Sequence, residues 1–421
     1  MRIFKFGGAS VKNATGVRNL VRVLEHEGTK NTFVVVSAMG KMTNAFEKVV
    51  DAYLNDAQKL KNSIDEIQVF HQEILDDLFK SEDSIHSKIN TLFRELQDFL
   101  THNSIKEYNF VYDQIVCFGE LISTKIVSAF LSKSNIKNNW LDSRKIIKTD
   151  SNFRNAAVNW EETKSNCKQI NQQELNITQG FISEDLKGNS TTLGREGSDF
   201  TAGILAYCLD AECVTIWKDV DGILNADPRV FENTVLLNQI SYQEAIEMAF
   251  YGASVIHPKT IKPLENKRIP LYVRSFENLK NNGTKVSKGI DLEPKTSCFI
   301  VKKNQILVSI SANDFSFMVE KNLSFIFDLL HQYKLKVNLI QNSAISFSVC
   351  LEDNYSSFSS FYNELKPNFK VRFNEKVSLF TVRHFDLKSI AEIEKKGTVL
   401  LKQTSRETVQ LIINEKNNYD N

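Results

Sequence analysis

The chain opens with Met1-Arg2-Ile3-Phe4-Lys5-Phe6-Gly7-Gly8-Ala9-Ser10, a β-prone run that feeds directly into a double glycine and a serine. A strand ending in Gly7-Gly8 lets backbone N–H groups approach an anion closely, and Lys5 brings a fixed positive charge to the same mouth. That is phosphate chemistry in outline. The segment is not a Walker loop, which has four residues between its glycines and a lysine after the second, and it is not G-x-G-x-x-G. A Gly-Gly pair also makes a simple turn, so the reading depends on the rest of the chain.

Outward from this strand the pattern alternates. Val11 to Glu27 reads as a helix, and Thr32-Phe33-Val34-Val35-Val36-Ser37 as a continuous apolar strand of the kind found in a sheet covered on both faces. From about 43 to 107 the pattern turns helical, with Ile67, Phe70, Ile74, Leu75 and Leu78 forming a stripe that predicts core packing in a helical excursion off the sheet. Strand and helix signals return from Phe110 to Cys208, and Val214-Thr215-Ile216-Trp217 is a buried-type strand ending in Lys218-Asp219. Such alternation predicts an αβα sandwich with a mainly parallel sheet.

After Pro294 a different order takes over. Strand 305–311, helix 320–332, strands 336–341 and 345–351, helix 355–365 and strand 370–373 give βαββαβ, a ferredoxin-like order. A shorter pass follows, with strand 377–382, helix 387–395 and strands 398–402 and 408–413. The expected organisation is 1–295 and 296–421, the latter holding one repeat at about 304–375 and a second at about 376–421, with 297–302 supplying a missing strand.

With 421 residues, 42% hydrophobic and 24% charged, the chain is ordinary globular stock able to form two or three domains. A net charge of +1 without a basic block argues against a nucleic-acid partner. Cys117, Cys167, Cys208, Cys213, Cys298 and Cys350 are scattered without C-x-x-C or Cys/His ligand spacing, which predicts buried reduced thiols. No run of eighteen apolar residues and no leader pattern is visible, so no membrane association is expected and the chain reads as a cytoplasmic enzyme.

Two further clusters join the opening one. Thr191-Thr192-Leu193-Gly194-Arg195-Glu196-Gly197-Ser198-Asp199 runs into a helix-prone stretch, so Ser198 or Asp199 suits an N-cap, and a helix N-terminus after glycine also suits an anion. Lys218-Asp219-Val220-Asp221-Gly222-Ile223-Leu224-Asn225-Ala226-Asp227-Pro228-Arg229 has loop composition, and loops after sheet strands carry ligands in α/β folds. Its acids and cations make either a solvated turn or contacts to ribose, Mg²⁺ and phosphates.

Seven segments carry a resemblance: KFGGAS at the start, VVVSAMGKMTN at 34–44, GELIST at 119–124, QGFI at 179–182, TTLGREGSDFTA at 191–202, KDVDGILNADPR at 218–229 and YGASVIHPKTIKP at 251–263. In this order they resemble the aspartate kinase branch of the amino acid kinase family, over about 1–290. The C-terminal repeats resemble the tandem ACT domains that aspartate kinases use to sense end-product amino acids. The resemblance implies ATP and Mg²⁺ as cofactors, L-aspartate as acceptor, and 4-phospho-L-aspartate as product on the route to lysine, threonine and methionine. It implies a homodimer or dimer of dimers, and no attached homoserine dehydrogenase is expected.

Residue by residue, the resemblance makes Lys5 the cation on the transferred phosphoryl group, Gly7 and Gly8 its backbone partners with Ser10 beside them, and Asp199 a neighbour of Lys5 that orients it or helps to organise the phosphates. Arg195 would grip a carboxylate of aspartate, as suits a bidentate guanidinium. Ser37, Thr43, Phe181 and Ser198 would line the rest of the pocket, and Glu120 would meet the substrate ammonium. Without the motifs, Thr43 would read as a helix cap and Glu120 as a surface acid. On the ATP side, Asp219, Asp227 and Arg229 match family positions, whereas Lys218 and Leu224 replace a threonine and an aromatic. Ser254 replaces a lysine thought to reach the terminal phosphates, for which Lys218, Lys259 or Lys262 are candidate substitutes, Lys218 or Lys259 being favoured. An effector site would involve Lys321, Asn322, Leu323, Val337 and Asn338; Asn338 stands in a V-N-L-I run where lysine-sensitive members often carry Asp, so a lysine site is expected to be weakened or altered. The alternatives are a related amino acid or carbamate kinase, or a catalytically weak homologue that binds amino acids as a regulatory subunit. The polar segment 183–192 is expected to be a mobile loop with a lid role open to it.

Overall fold

The computed structural model describes residues 1–253, 256–314 and 316–415. These form two compact units, residues 1–223, 236–246 and 256–294 in the first, and 224–235, 247–253 and 295–415 in the second. The division therefore does not fall at a single residue. Segment 224–235 goes with the C-terminal unit because Ala226 and Phe231 enter the same apolar cluster as Phe380, Val382, Ile393 and Val409. Asn225 ties it further, accepting from Phe299 N and donating to Ser297 O.

In the first unit, β1 (Arg2–Phe6) and β2 (Thr32–Val36) lie side by side in parallel, Lys5 opposite Val35. On the other flank of β1 the parallel strand Cys213–Lys218 sets Ile216 opposite Lys5. The sheet continues through Asn176–Gln179 and Asn139–Leu141 on one side, Leu271–Ser275, Thr284–Ser287 and Gln239–Ser241 on the other. Thr284–Ser287 pairs antiparallel with Leu271–Ser275, and Gln239–Ser241 runs parallel to Thr284–Ser287, so these two strands oppose the other six. Continuous β-branched runs suit such a sheet because both faces are covered; every residue of β2 is buried.

Helix α1 (Ala14–Glu27) starts where Asn13 Oδ1 accepts from Gly16 N and stops at Gly28, whose φ of 82° no side-chain-bearing residue adopts cheaply. The helical excursion consists of α2 (Met42–Asn55), α3 (Ala57–Leu78) and α4 (Ile85–His102), each turning an apolar stripe onto the core. Helix α5 (Tyr108–Lys133) follows. It is long and apolar enough to cross a membrane by length and composition, and 72% of that apolar window is buried inside the protein. It is the central helix of this unit, apolar on all sides because it is packed on all sides.

The expected mobile loop at 183–192 is instead a hairpin. Ile182–Asp185 and Ser190–Thr192 pair antiparallel, with Lys148–Thr149 alongside. Its polar residues are used internally: Thr191 Oγ1 meets both Thr149 Oγ1 and Ser183 Oγ, and Asp185 Oδ1 closes the turn by accepting from Lys187 N and Asn189 N.

In the second unit the expected elements merge. Strands 297–302 and 305–311 are one strand, Cys298–Ala312, and strands 370–373 and 377–382 are one strand, Phe369–Arg383. Their pairing slips on both sides of Gln305, and Asn304 and Lys376 adopt positive φ at the slips. Each bulge flips the alternation of the strand that carries it, which is why two separate strands were expected. The result is one six-stranded antiparallel sheet. Helices Glu320–Gln332 and Phe358–Leu365 pack with Ile306, Val308 and Ile310, and Leu387–Glu394 packs with Phe380, Val382 and Leu411.

Candidate active site

The C-terminal ends of β1, β2 and the strand Asn176–Gln179 point to one side of the sheet, the side on which open α/β sheets bind ligands. The chain turns sharply after β1. Gly7 caps a short 3₁₀ turn, Gly8–Val11, and a Cβ on Gly8 would stand 2.6 Å from Gly40 O and 2.8 Å from Ala38 O. Glycine is thus required for the β1 and β2 loops to lie together, and Gly40 N bonds Gly8 O across them.

Beside these loops is a cavity of about 510 Å³ within the first unit. Eight residues expected from the sequence line it: Lys5, Ser37, Thr43, Glu120, Phe181, Arg195, Ser198 and Asp199. Lys5 Nζ lies 2.6 Å from Asp199 Oδ1, both side chains nearly enclosed. An ion pair this buried fixes the ammonium in place. Asp199 belongs to the first turn of helix Gly197–Cys208, whose N-cap is Glu196 rather than Ser198 or Asp199. Asp199 is turned onto Lys5 instead of back onto the helix N–H groups, and Glu196 reaches the start of the helix in a left-handed conformation, φ 53°.

Glu120 is not the surface acid that its residue type suggests. It sits at 2% exposure on α5, and Oε2 has no hydrogen-bond partner. Burial pushes its carboxyl up to about 8, against the pull of the Ala38 backbone N–H. Gly119 permits this depth: a Cβ there would lie 3.2 Å from both Ala38 Cβ and Phe46 Cδ2. Ser123, one turn on, donates to Ser37 O at 2.7 Å and clamps α5 to the end of β2.

The cavity also has walls that the sequence reading missed. Asn44 and Glu47 on α2, Tyr112 on α5, Arg154, Gly194, Glu196 and Gly197 complete it. Asn44 adjoins Thr43 and Glu47 lies one turn beyond it on α2, while Tyr112 lies about two turns before Glu120 on α5, so projecting Thr43 and Glu120 along their helix faces was the available signal. For Arg154, in an irregular segment, no signal existed. Three non-glycine residues with φ between 53° and 70° line the cavity, Arg154, Phe181 and Glu196. Such backbone clusters at functional sites, where surrounding structure holds it.

Behind the cavity Asp113 holds the frame. Its Oδ2 accepts from Thr192 N and Arg154 N, its Oδ1 from Thr192 Oγ1 at 2.7 Å, and burial pushes its carboxyl up to about 6. Asp113→Ala leaves two backbone N–H groups without their acceptor. We expect it to lower the stability of this unit by about 2–4 kcal/mol, read by denaturant titration.

The nucleotide-side residues are placed differently. Ser10 is buried and donates to Trp217 O, turning inward rather than to the loop mouth. Lys259 hydrogen-bonds Asn155 Oδ1, so its ammonium is already engaged; Lys262 is exposed on the same helix, Pro258–Lys267. Lys218 ends the strand Cys213–Lys218 and Asp219 follows it, exposed, in the first unit. Leu224, Asp227 and Arg229 belong to the second unit, where Arg229 pairs with Asp227 at 2.7 Å. Ser254 lies outside the described residues. Among those residues no group of three His, Cys, Asp or Glu could by itself hold a metal.

In the second unit Lys321, Asn322 and Leu323 lie in the first turn of helix Glu320–Gln332, and Val337 and Asn338 on strand Lys336–Asn342. Asn338 sits where the pairing slips. Its amide is engaged at both ends, donating to Gln305 Oε1 at 2.7 Å and accepting from Lys302 Nζ at 2.8 Å. The Asn338 side-chain oxygen is therefore already met by an ammonium of the chain itself.

Comparison with known proteins agrees with this geometry. The model of the amino acid kinase family matches residues 1–275. The chain is 30% identical over 356 residues to the lysine-sensitive aspartokinase 3 of Escherichia coli, covering 83% of this chain and 78% of that protein. It is 29% identical over 384 residues to a bifunctional aspartokinase/homoserine dehydrogenase of Buchnera aphidicola, covering 88% of this chain but 47% of that protein. The chain thus spans about half the length or less of the bifunctional relatives it matches. Among solved structures it is similar to E. coli aspartokinase III with lysine and aspartate in the T-state, at TM-score 0.84 and 26% identity, covering 98% of this chain and 96% of that one. The same enzyme with aspartate and ADP in the R-state gives TM-score 0.78 at the same identity and coverage.

Proposed function

The chain belongs to the amino acid kinase family, among its aspartokinases, and on that premise we propose that it transfers the γ-phosphoryl group of ATP to the side-chain carboxylate of L-aspartate. The observation that carries this reading is the cavity in which the Lys5–Asp199 pair, the buried Glu120 carboxylate and Arg195 converge. An aspartate side chain is ionised at neutral pH, so the attack needs no strong general base. What remains is positioning and charge stabilisation.

In this mechanism Glu120 receives the substrate ammonium and Arg195 a carboxylate, leaving the other carboxylate to attack phosphorus in line. Ser37, Thr43, Phe181 and Ser198 shape the pocket around it. Lys5, held by Asp199, neutralises charge building on the transferred oxygens, and the Gly7–Gly8 backbone contributes N–H dipoles at the same place. The nucleotide is assigned to the loops after β1 and after Cys213–Lys218, with Lys218 and Asp219 as its candidate contacts. Mg²⁺ would be held by the nucleotide phosphates, and no residue of this chain is assigned to it. Its charge would add to that of Lys5 on the phosphoryl oxygens.

The second unit is proposed to act as a pair of ACT modules that make a homodimer or dimer of dimers and sense lysine or threonine. One relative described as lysine-sensitive and a solved complex of E. coli aspartokinase III with lysine support an amino-acid effector. The Lys302–Asn338 bond argues against Asn338 Oδ1 reading it. A cytoplasmic location belongs to the same proposal.

The test is a hydroxamate assay on the purified chain with ATP and Mg²⁺, comparing aspartate with glutamate. Aspartate-dependent acyl phosphate is expected, with turnover on glutamate at least a hundredfold lower. Turnover on neither amino acid would sink the kinase reading and leave an amino-acid-binding regulatory subunit.

A further inference from the structure

Arg154 is the least expected residue of the cavity wall, and its setting is specific. Its backbone has φ 68°, a left-handed conformation in which a side chain is a disadvantage and glycine is the favoured residue. The conformation is held from several directions. Arg154 N donates to Asp113 Oδ2 at 3.0 Å, Ala156 N donates to Thr192 O at 3.0 Å, and the Lys259 ammonium bonds Asn155 Oδ1. The guanidinium lies 4.4 Å over the Tyr112 ring and 5.3 Å from that of Tyr108, two residues one turn apart on α5. Stacked in this way it is positioned before any ligand arrives.

The charges of the cavity show what is left unpaired. Lys5 is matched by Asp199, Glu47 Oε1 accepts from Tyr112 OH, and Glu196 Oε2 accepts from His257 N. Among the described residues no carboxylate pairs with Arg154 or Arg195, and Glu120 Oε2 is buried without a partner. Two unpaired guanidinium groups and one buried carboxylate are the complement of a ligand with two carboxylates and one ammonium.

We propose that Arg154 is a specificity-determining residue of the amino-acid acceptor: it binds a second carboxylate, so that Arg154, Arg195 and Glu120 together select an amino dicarboxylate. This rests on the aspartate kinase reading and names how its acceptor is chosen. Removing a charge-assisted guanidinium–carboxylate hydrogen bond from such a site weakens binding about tenfold or more.

The experiment uses the full chain, with Arg154→Gly and Arg154→Lys compared to wild type for KM of aspartate, KM of ATP, kcat and melting temperature. Arg154→Gly suits the backbone, so its melting temperature is expected to equal or exceed that of wild type. Its aspartate KM is expected to rise tenfold or more while the ATP KM stays within twofold; Arg154→Lys should recover part of the loss. An unchanged aspartate KM in an active Arg154→Gly enzyme would overturn the inference. Equal rises in both KM values, with or without a lowered melting temperature, would also overturn it, since they mark a nucleotide contact or a structural role. A wild-type chain without aspartate-dependent turnover would refute the kinase reading instead.

Discussion

Lys5→Met is expected to lower kcat for acyl phosphate formation about a thousandfold while the aspartate KM changes far less. Lys5 is one of the most enclosed charges of the cavity, at 9% exposure, and its ammonium is fixed by Asp199 at 2.6 Å. Charge placed beforehand in a site shielded from water stabilises a transition state without reorganising, and loss of one such group costs about 10²–10³ in kcat. The substitution strands Asp199, a buried carboxylate, so stability falls as well. The double variant Lys5→Met/Asp199→Asn separates the two effects. It removes both charges, and we expect it to regain stability with no recovery of kcat. A single variant that keeps kcat within tenfold of wild type would take Lys5 out of the chemistry.

The second large effect concerns Glu120 and pH. Burial holds its carboxyl at about 8, against an ordinary value of 4.5, so at pH 7 the free protein keeps most of it protonated. An ammonium ligand needs the ionised form, and its binding must release a proton. The aspartate KM is therefore expected to fall as pH rises toward 8, by up to about tenfold per pH unit, and to level off above. Glu120→Gln should abolish this slope and weaken aspartate about a hundredfold at pH 8. Stability carries the opposite sign. A carboxyl whose folded value is raised contributes fully below 4.5 and loses that contribution as pH climbs through 8. Glu120→Gln should consequently unfold later than wild type at pH 9, although it binds aspartate worse. An aspartate KM that is flat from pH 6 to 8 in wild type would show that Glu120 does not meet the ammonium.

The parallel sheet was legible because its central strands are short continuous apolar runs that end in glycine or polar loops, as in Arg2–Phe6 and Thr32–Val36. The site was legible where it is made by those loops and by the start of helix Gly197–Cys208. On the helix flanks of α2 and α5 it was legible only at Thr43 and Glu120, which the motifs carry. Glu47 and Tyr112 look like any half-polar helix residues, and only the packing of α2 on α5 shows that they face a cavity. Glu120 was named through its motif, but its burial was not legible, because burial of an acid is set by tertiary structure while its residue type speaks for the surface. Arg154 was hidden by its positive φ, since positions of that kind are anticipated at glycine. In the second unit the bulges at Asn304 and Lys376 carry no glycine or proline, so a break in alternation looked like a break in the strand.

Those two uninterrupted strands have a consequence for how the second unit can be taken apart. Cys298–Ala312 and Phe369–Arg383 each pass through both repeats and pair with one another along nearly their whole length. The repeats share their spine and are not beads on a string. Cutting the chain between residues 375 and 376 would sever one of the two central strands and open raw edges on each half. Excised single repeats would be sticky fragments, and even the double module would lack Ala226 and Phe231 of its apolar cluster unless segment 224–235 came with it.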